Sequence, residues 1–383
     1  MQELRKFVAP EFIYGRGATA LVGRYAANFG AKRLLVVTDP GVIAAGLTKT
    51  VINQLEAEGL EFAIFSDINQ NPRDSQVLTG AKFYADNDCD VIVAVGGGSP
   101  MDCAKGIGII ATNHGQIVDY EGVDNVPVPG PPLICVPTTA GTSADVSQFA
   151  IINDTARRLK FAIISKTMVP DVALIDPAMT LTMDPYLTAC TGMDALVHAI
   201  EAVVSTASSP ITDIHAFQAI RLIRKNLETA ISAPDDPDAR DGMMLGSLEA
   251  GLAFSNASLG AVHAMAHSLG GLMDMPHGEC NAILLAPVID WNFDSAPERY
   301  REVASCLGLD VADKTDDFVL KALLNDIASL RESAGITARL GARGVTPDVI
   351  PQLARNAISD PCMVTNPRVP TLRELEGVYA AAV

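Results

Sequence analysis

Tryptophan occurs once in the 383 residues, and aromatic residues together make up only 5% of them. Aliphatic side chains must therefore fill the core, and the apolar share of 49% is ample for that. A share this high also excludes a disordered chain. Basic residues are scarce beside acidic ones, 28 against 45, for a formal charge of −17. Such a surface repels phosphate backbones and anionic lipids, so nucleic acid and membrane are not expected partners; otherwise the charge serves solubility. No apolar run reads as the ~20 residues that a membrane helix needs. The opening MQELRKFVAPEF lacks the apolar stretch of a signal peptide, and the expected compartment is the cytoplasm. The seven cysteines are odd in number and form no CxxC pair. That excludes a disulfide framework and a thiolate zinc site, and it fits reduced thiols. The GxGxxG dinucleotide fingerprint is missing too.

What is present is an alternation of strand and helix signals. At about 100–200 residues per domain, the length suggests two domains. Short apolar runs at 33–38, 61–66, 91–95, 133–136 and 172–175 are separated by helical stretches, including 75–86 and 103–111. This order predicts a parallel sheet with helices on both faces. VIVAV (91–95) has no polar alternation, as befits a strand buried on both sides. Segments 146–152 and 159–164 flank Asn153-Asp154-Thr155 and predict a hairpin. After Met183-Asp184-Pro185 only helical patterns follow, from 187–204 to 371–382. The expected architecture is an α/β dinucleotide-binding domain over 1–184 and an all-helical domain over 185–383.

Gly96-Gly97-Gly98-Ser99 sits between the buried strand and a helix starting near Pro100. Glycines let backbone N–H groups approach a ligand, and a helix N-terminus adds partial positive charge, an arrangement that suits pyrophosphate. Alone, the tetrapeptide reads equally well as a tight turn. Asp39 ends the first strand of the alternation, where an open sheet binds ligands. There it could accept hydrogen bonds from the ribose hydroxyls of NAD and repel the 2′-phosphate of NADP, or it could simply begin the turn Asp39-Pro40-Gly41. Thr138, Thr139 and Thr142 end another strand and suit phosphate or ribose, or simply make a loop.

The helical half carries a denser signal. Asp194 and His198 are four residues apart, His263 and His267 repeat that spacing, and His277 follows a Gly-Gly break. Residues at that spacing share one helix face. Four of the six histidines of the chain fall in this constellation. One carboxylate with imidazoles and no thiolate predicts a metal site for Fe(II), Zn(II) or Mn(II), a Lewis acid toward an alcohol oxygen.

GGGSPMDCAK, PTTAGTSADVS, CTGMDALVHAIEA, GAVHAMAHSLGG…PHGECNAILL and SDPCMVTNPR together resemble the iron-containing (group III) alcohol dehydrogenases over essentially the whole chain, most closely the bacterial iron-dependent ethanol dehydrogenases. The resemblance implies NAD as cofactor and Fe(II) held by Asp194, His198, His263 and His277. It implies a second role for His267, as a proton carrier beside the metal. It places Asp39, Gly96, Gly97, Gly98, Ser99, Asp102, Thr138, Thr139, Thr142, Ser147, Phe149, Lys160, Met183 and Leu187 at the cofactor. Phe149, Phe254 and Cys362 are placed at the substrate. It also implies a small alcohol or aldehyde as substrate and a homo-oligomeric enzyme. Three positions depart from the pattern. Ser147 replaces a usual threonine, Asp145 a usual glutamate, and Phe149 the asparagine of lactaldehyde-type enzymes, a change that favours simple alcohols over diols. Lactaldehyde or 1,3-propanediol oxidoreduction is the alternative within the family. Dehydroquinate synthase and glycerol dehydrogenase are similar in outline, but they usually hold zinc without the fourth ligand, His277. A metal-bound scaffold subunit is the non-catalytic alternative, for which an intact glycine loop would have no purpose.

Overall fold

The computed structural model describes residues 6–383; the first five residues, part of the opening stretch read above for a signal peptide, lie outside it. The chain divides into two compact units, Val8–Thr182 and Met183–Val383, with residues 6 and 7 in the second.

The first unit is built on β1 (Glu11–Tyr14), β2 (Arg33–Val37), β3 (Glu61–Phe65), β4 (Val91–Gly96), β5 (Gly122–Val123), β6 (Leu133–Pro137), β7 (Phe149–Asp154), β8 (Leu159–Ile164) and β9 (Val172–Ile175). Its helices are α1 (Val22–Asn28), α2 (Pro40–Ala44), α3 (Leu47–Ala57), α4 (Asp74–Asp86) and α5 (Gly98–Asn113). Six strands form one sheet in the order β1-β9-β6-β4-β2-β3, and every pair is parallel. The unbroken apolar runs have a direct cause. Leu35, Ile92, Ala94 and Cys135 pack with Val77, Ala81 and Ile107 of α4 and α5 on one face. Leu34, Val36, Val93 and Val95 pack with Val22, Val51 and Leu55 of α1 and α3 on the other. Leaving aside the edge strand β1, the spatial order is 2-1-3-4-5. The chain reverses direction across the sheet between β2 and β4, and open sheets of this kind bind ligands outside the carboxyl ends of the strands at such a point.

A second sheet, β5-β8-β7, holds the expected hairpin. Its turn lies later than the sequence pattern suggests. Asn153 and Asp154 still pair with Lys160 and Leu159, and the Asp154 carboxylate accepts the Arg157 amide at 2.7 Å to close the loop. The strand β1 carried no recognisable pattern because it is a short, half-exposed edge.

The second unit comprises α6 (Pro185–Val204), α7 (Pro210–Ser232), α8 (Pro237–Ala257), α9 (Ala261–Met273), α10 (His277–Asn292), α11 (Pro297–Cys306), α12 (Asp316–Ser333), α13 (Ile350–Ile358) and α14 (Leu372–Ala382). No strand follows Ile175 among the described residues. Asp184, Ser209 and Asp236 cap α6, α7 and α8, and each is followed by a proline at the first helical position. Such a cap accepts an amide that the helix cannot satisfy, and proline there lacks only an amide that would go unused. Contrary to the expectation above, α6 is long and apolar enough to cross a membrane by length and composition; 94% of that window is buried inside the protein. It is a core helix packed by α7, α8 and α10, and its polar residues Asp194, His198 and Glu201 are themselves buried.

Candidate functional site

In the sheet unit, β2 runs into Asp39, whose Oδ1 accepts the Val42 amide at 2.9 Å and caps α2. The supposed turn is thus a helix start. β4 ends at Gly96 and α5 begins at Gly98, so the amides of a 16-residue helix open onto the glycine loop. The neighbouring loop after β6 is tied to it by the Thr138 amide, which donates to the Gly96 carbonyl at 2.9 Å. A Cβ on Gly98 would lie 3.0 Å from the Thr142 side chain. Asp39, Gly96, Gly97, Gly98, Ser99, Thr138, Thr139 and Thr142 therefore converge on the carboxyl edge of the sheet, at the reversal between β2 and β4 and on the strand beside it.

Three other residues from the sequence reading have interior partners. Asp102 accepts the Ile151 amide at 3.2 Å, and burial pushes its carboxyl up to about 6 against the pull of Lys105. The buried Lys105 ammonium donates to the Ser147 carbonyl at 3.0 Å, the Ser147 hydroxyl at 3.3 Å and the Phe149 carbonyl at 2.7 Å. The Ser147 hydroxyl is thus engaged from within, and the Phe149 side chain, opening β7, is buried. Asp145 lies in the same interior, its carboxyl pushed up to about 6 by burial. Lys160 on β8 is half-buried and acts electrostatically on Asp102.

In the helical unit, α6 supplies Asp194 and His198, α9 supplies His263 and His267, and α10 starts at His277. Asp194, His263 and His277 each offer one ligand atom, all within 4.8 Å of one another. The Asp194 Oδ1 is 3.7 Å from Nε2 of each histidine. His198 lies beside this trio, its ring stacked at 4.4 Å on His263 and at 4.2 Å on the buried Phe254. One turn after His277, the Asn281 Nδ2 reaches Asp194 at 2.6 Å, His263 at 3.1 Å and His277 at 3.2 Å. A donor amide thus sits against three groups whose lone pairs point at one place, while the buried Asn281 Oδ1 has no hydrogen-bond partner. Burial alone would raise the Asp194 carboxyl, but the imidazoles of His198, His277 and His263 hold it well below the usual carboxylate range. A carboxylate and imidazoles at these separations, with no thiolate among them, suit a divalent cation such as Fe(II) or Zn(II).

His267 belongs to the same histidine group but turns away from the trio. Its ring stacks on His277 at 5.2 Å, while its Nδ1 is 2.9 Å from Asp360 Oδ2. Cys362 is fully buried and clusters with that pair; its thiol borders Asp360 rather than open space. Met183 and Leu187 stand at the entry to α6: the Met183 carbonyl accepts from Arg240 at 3.1 Å, and Leu187 is exposed. The sequence reading missed Lys105, Glu201, Asn281 and Asp360. Glu201 and Asn281 had left a signal, since they continue the helical spacing of Asp194 and His198 and of His277.

Gly278 lets α10 approach α6 at the metal-facing turn. A Cβ there would lie 2.5 Å from the Cys190 carbonyl oxygen and 2.9 Å from its carbon, backbone atoms that cannot swing aside. Overpacking of this kind costs roughly 1–3 kcal/mol. Gly278→Ala is expected to lower the thermal midpoint and, by shifting His277, to loosen bound metal; an unchanged midpoint would show that the two helices can separate freely.

Two family models match the chain. Residues 9–177 match "Iron-containing alcohol dehydrogenase", and residues 188–383 match "Fe-containing alcohol dehydrogenase family, C-terminal". The chain is 41% identical over 380 residues to alcohol dehydrogenase 4 of Schizosaccharomyces pombe, covering 98% of this chain and 89% of that one. It is 36% identical over 377 residues to the NAD-dependent methanol dehydrogenase of Bacillus methanolicus, covering 98% and 99%. A solved 1,3-propanediol oxidoreductase superposes with a TM-score of 0.96 at 38% identity, over 100% of both chains. The glycine loop at the sheet edge and the buried Asp-His cluster thus occur in a chain matched along almost its whole length, and this protein belongs to the iron-containing alcohol dehydrogenase family of oxidoreductases.

Proposed function

We propose that the enzyme transfers a hydride between NAD and a short primary alcohol or its aldehyde, at a centre where Asp194, His198, His263 and His277 hold Fe(II). The observation that carries this reading is the trio of ligand atoms from three helices, all within 4.8 Å, with Asp194 and His263 buried. Bound there, iron would supply Lewis acidity toward the alcohol oxygen. The protein supplies the rest. The glycine loop and the α5 N-terminus cradle the pyrophosphate, and Asp39 accepts the ribose hydroxyls. His267, its Nδ1–H donated to Asp360, keeps Nε2 available to accept or return the proton of the alcohol. Phe254, stacked on His198, presents apolar surface to a short alkyl chain and offers no partner for a second hydroxyl. The seven cysteines form no disulfide and are buried, which agrees with work in the reducing cytoplasm.

A diol is the second reading, favoured by the similarity to a 1,3-propanediol oxidoreductase. Metal-stripped protein, reloaded without air with Fe(II), Zn(II) or Mn(II), separates these claims when assayed with NAD on ethanol, propanol, 1,2-propanediol and 1,3-propanediol. The highest specificity constants are expected for the simple alcohols, with iron. A preference for either diol would overturn the substrate, and full rate with zinc but none with iron would overturn the metal.

A further inference from the structure

A histidine can hold a metal only through a ring nitrogen without a proton, so the proton must be kept on the other nitrogen. At His263 a specific group does this. Glu201, two turns along α6 from Asp194, places Oε2 2.6 Å from His263 Nδ1. The same carboxylate accepts the Val262 amide through Oε1 at 2.7 Å and the His263 amide through Oε2 at 3.4 Å. These amides belong to the first turn of α9, whose N-terminus has no cap from its own preceding residue. Asn366 takes the third, accepting the Ala261 amide at 3.0 Å.

Glu201 is only 3% exposed, and a carboxylate is expensive to bury without partners. Capping α9 accounts for part of the compensation, through amide hydrogen bonds and the positive end of the helix. The bond to His263 Nδ1 is the shortest of the three contacts that Glu201 makes, and it fixes the ring. With Nδ1 as donor to Glu201, Nε2 is left bare, and it is Nε2 that faces Asp194 and Asn281. Charge points the same way. A divalent ion beside Asp194 and neutral imidazoles would leave one positive charge unmatched in a dry interior, and Glu201 supplies the second negative charge.

We propose that Glu201 is a positioning residue that locks the Nδ1–H form of His263 and so sets how tightly the centre holds its metal; this rests on the metal reading given above. The orienting carboxylate behind a histidine ligand is typically worth about 10–100-fold in metal affinity. Glu201→Gln keeps an oxygen to cap Val262 but turns an amide donor toward Nδ1, which drives the ring proton to Nε2 and blocks the ligand atom. The test is titration of metal-free protein with Co(II), followed by its visible absorption and checked by competition with a chelator. Wild type should bind tightly, and Glu201→Gln about 10–100-fold more weakly while melting near wild type when metal-free. Glu201→Asp should fall between them. A second measurement needs no variant: nitrogen-15 NMR of histidine-labelled, zinc-loaded wild type should show the His263 proton on Nδ1 and the metal on Nε2. Equal Co(II) affinity in Glu201→Gln, or metal on Nδ1, overturns the proposal. Failure of wild type to bind Co(II), zinc or iron would overturn the metal centre itself.

Discussion

His277→Ala is expected to leave the protein without bound metal and without measurable turnover, whereas His267→Ala keeps its metal and turns over slowly. Both rings lie in one stack, so ring contact alone would not separate them. The difference lies in where their nitrogens point. His277 Nε2 is 3.7 Å from Asp194 Oδ1 and 3.2 Å from Asn281, inside the ligand trio. His267 spends its Nδ1 on Asp360, away from that trio. Removing a ligand takes one bond of a small set and leaves a gap open to water at the start of α10. Removing His267 takes only a proton path, and general acid–base help is typically worth about 10²–10⁴-fold. Metal analysis of the purified variants beside their turnover numbers decides the matter; equal metal loss in both would mean that the roles are misassigned.

Asp39→Gly is expected to raise the use of NADP and weaken that of NAD, in a wild type that strongly prefers NAD. One carboxylate oxygen of Asp39 caps α2, and the proposed role falls to the other, toward a ribose at the sheet edge. Against the 2′-phosphate of NADP that oxygen is a like charge, weakly screened where water is partly excluded. Pro40, Gly41, Val42 and Ile43 follow, and none is basic. The helix survives the change, because glycine at a cap position costs only a few tenths of a kcal/mol relative to aspartate. Specificity constants for both cofactors in both proteins measure the effect. Equal use of the two by wild type, or no change in the variant, would make Asp39 a cap and nothing more.

Much of this was legible before the fold. The doubly buried strands read as unbroken apolar runs because helices cover both faces, and the strand-to-helix passage at Gly96–Ser99 marked the carboxyl edge of the sheet. The histidines stood out because imidazoles are out of place in alanine-rich helices. Asp39 did not read as a cap, since a capping aspartate before Pro-Gly is indistinguishable from a turn until the helix is seen. α6 escaped notice as a spanning-length helix because Asp194, His198 and Glu201 interrupt its apolar face, and burial rather than lipid explains the remainder. Asp360 was beyond reach for another reason: it is 93 residues from His267, and no periodicity records a contact of that range. Lys105 drew no reading of its own, because a lone lysine in a helix carries no sign of burial, though three oxygens of a neighbouring segment hold it inside.

The division of the chain also orders its birth. Residues 8–182 form one uninterrupted stretch, and domains generally fold as units from the N-terminal side during synthesis. The sheet half can therefore be complete while the ribosome is still making the helices. The helical half cannot finish piecemeal. Asp194 must wait for His263 and His277, the first turn of α9 waits for Asn366 to take its amide, and His267 waits for Asp360. Under the proposed metal reading, an ion arriving early would meet loose side chains on a growing chain, and one arriving after residue 366 would meet them already gathered.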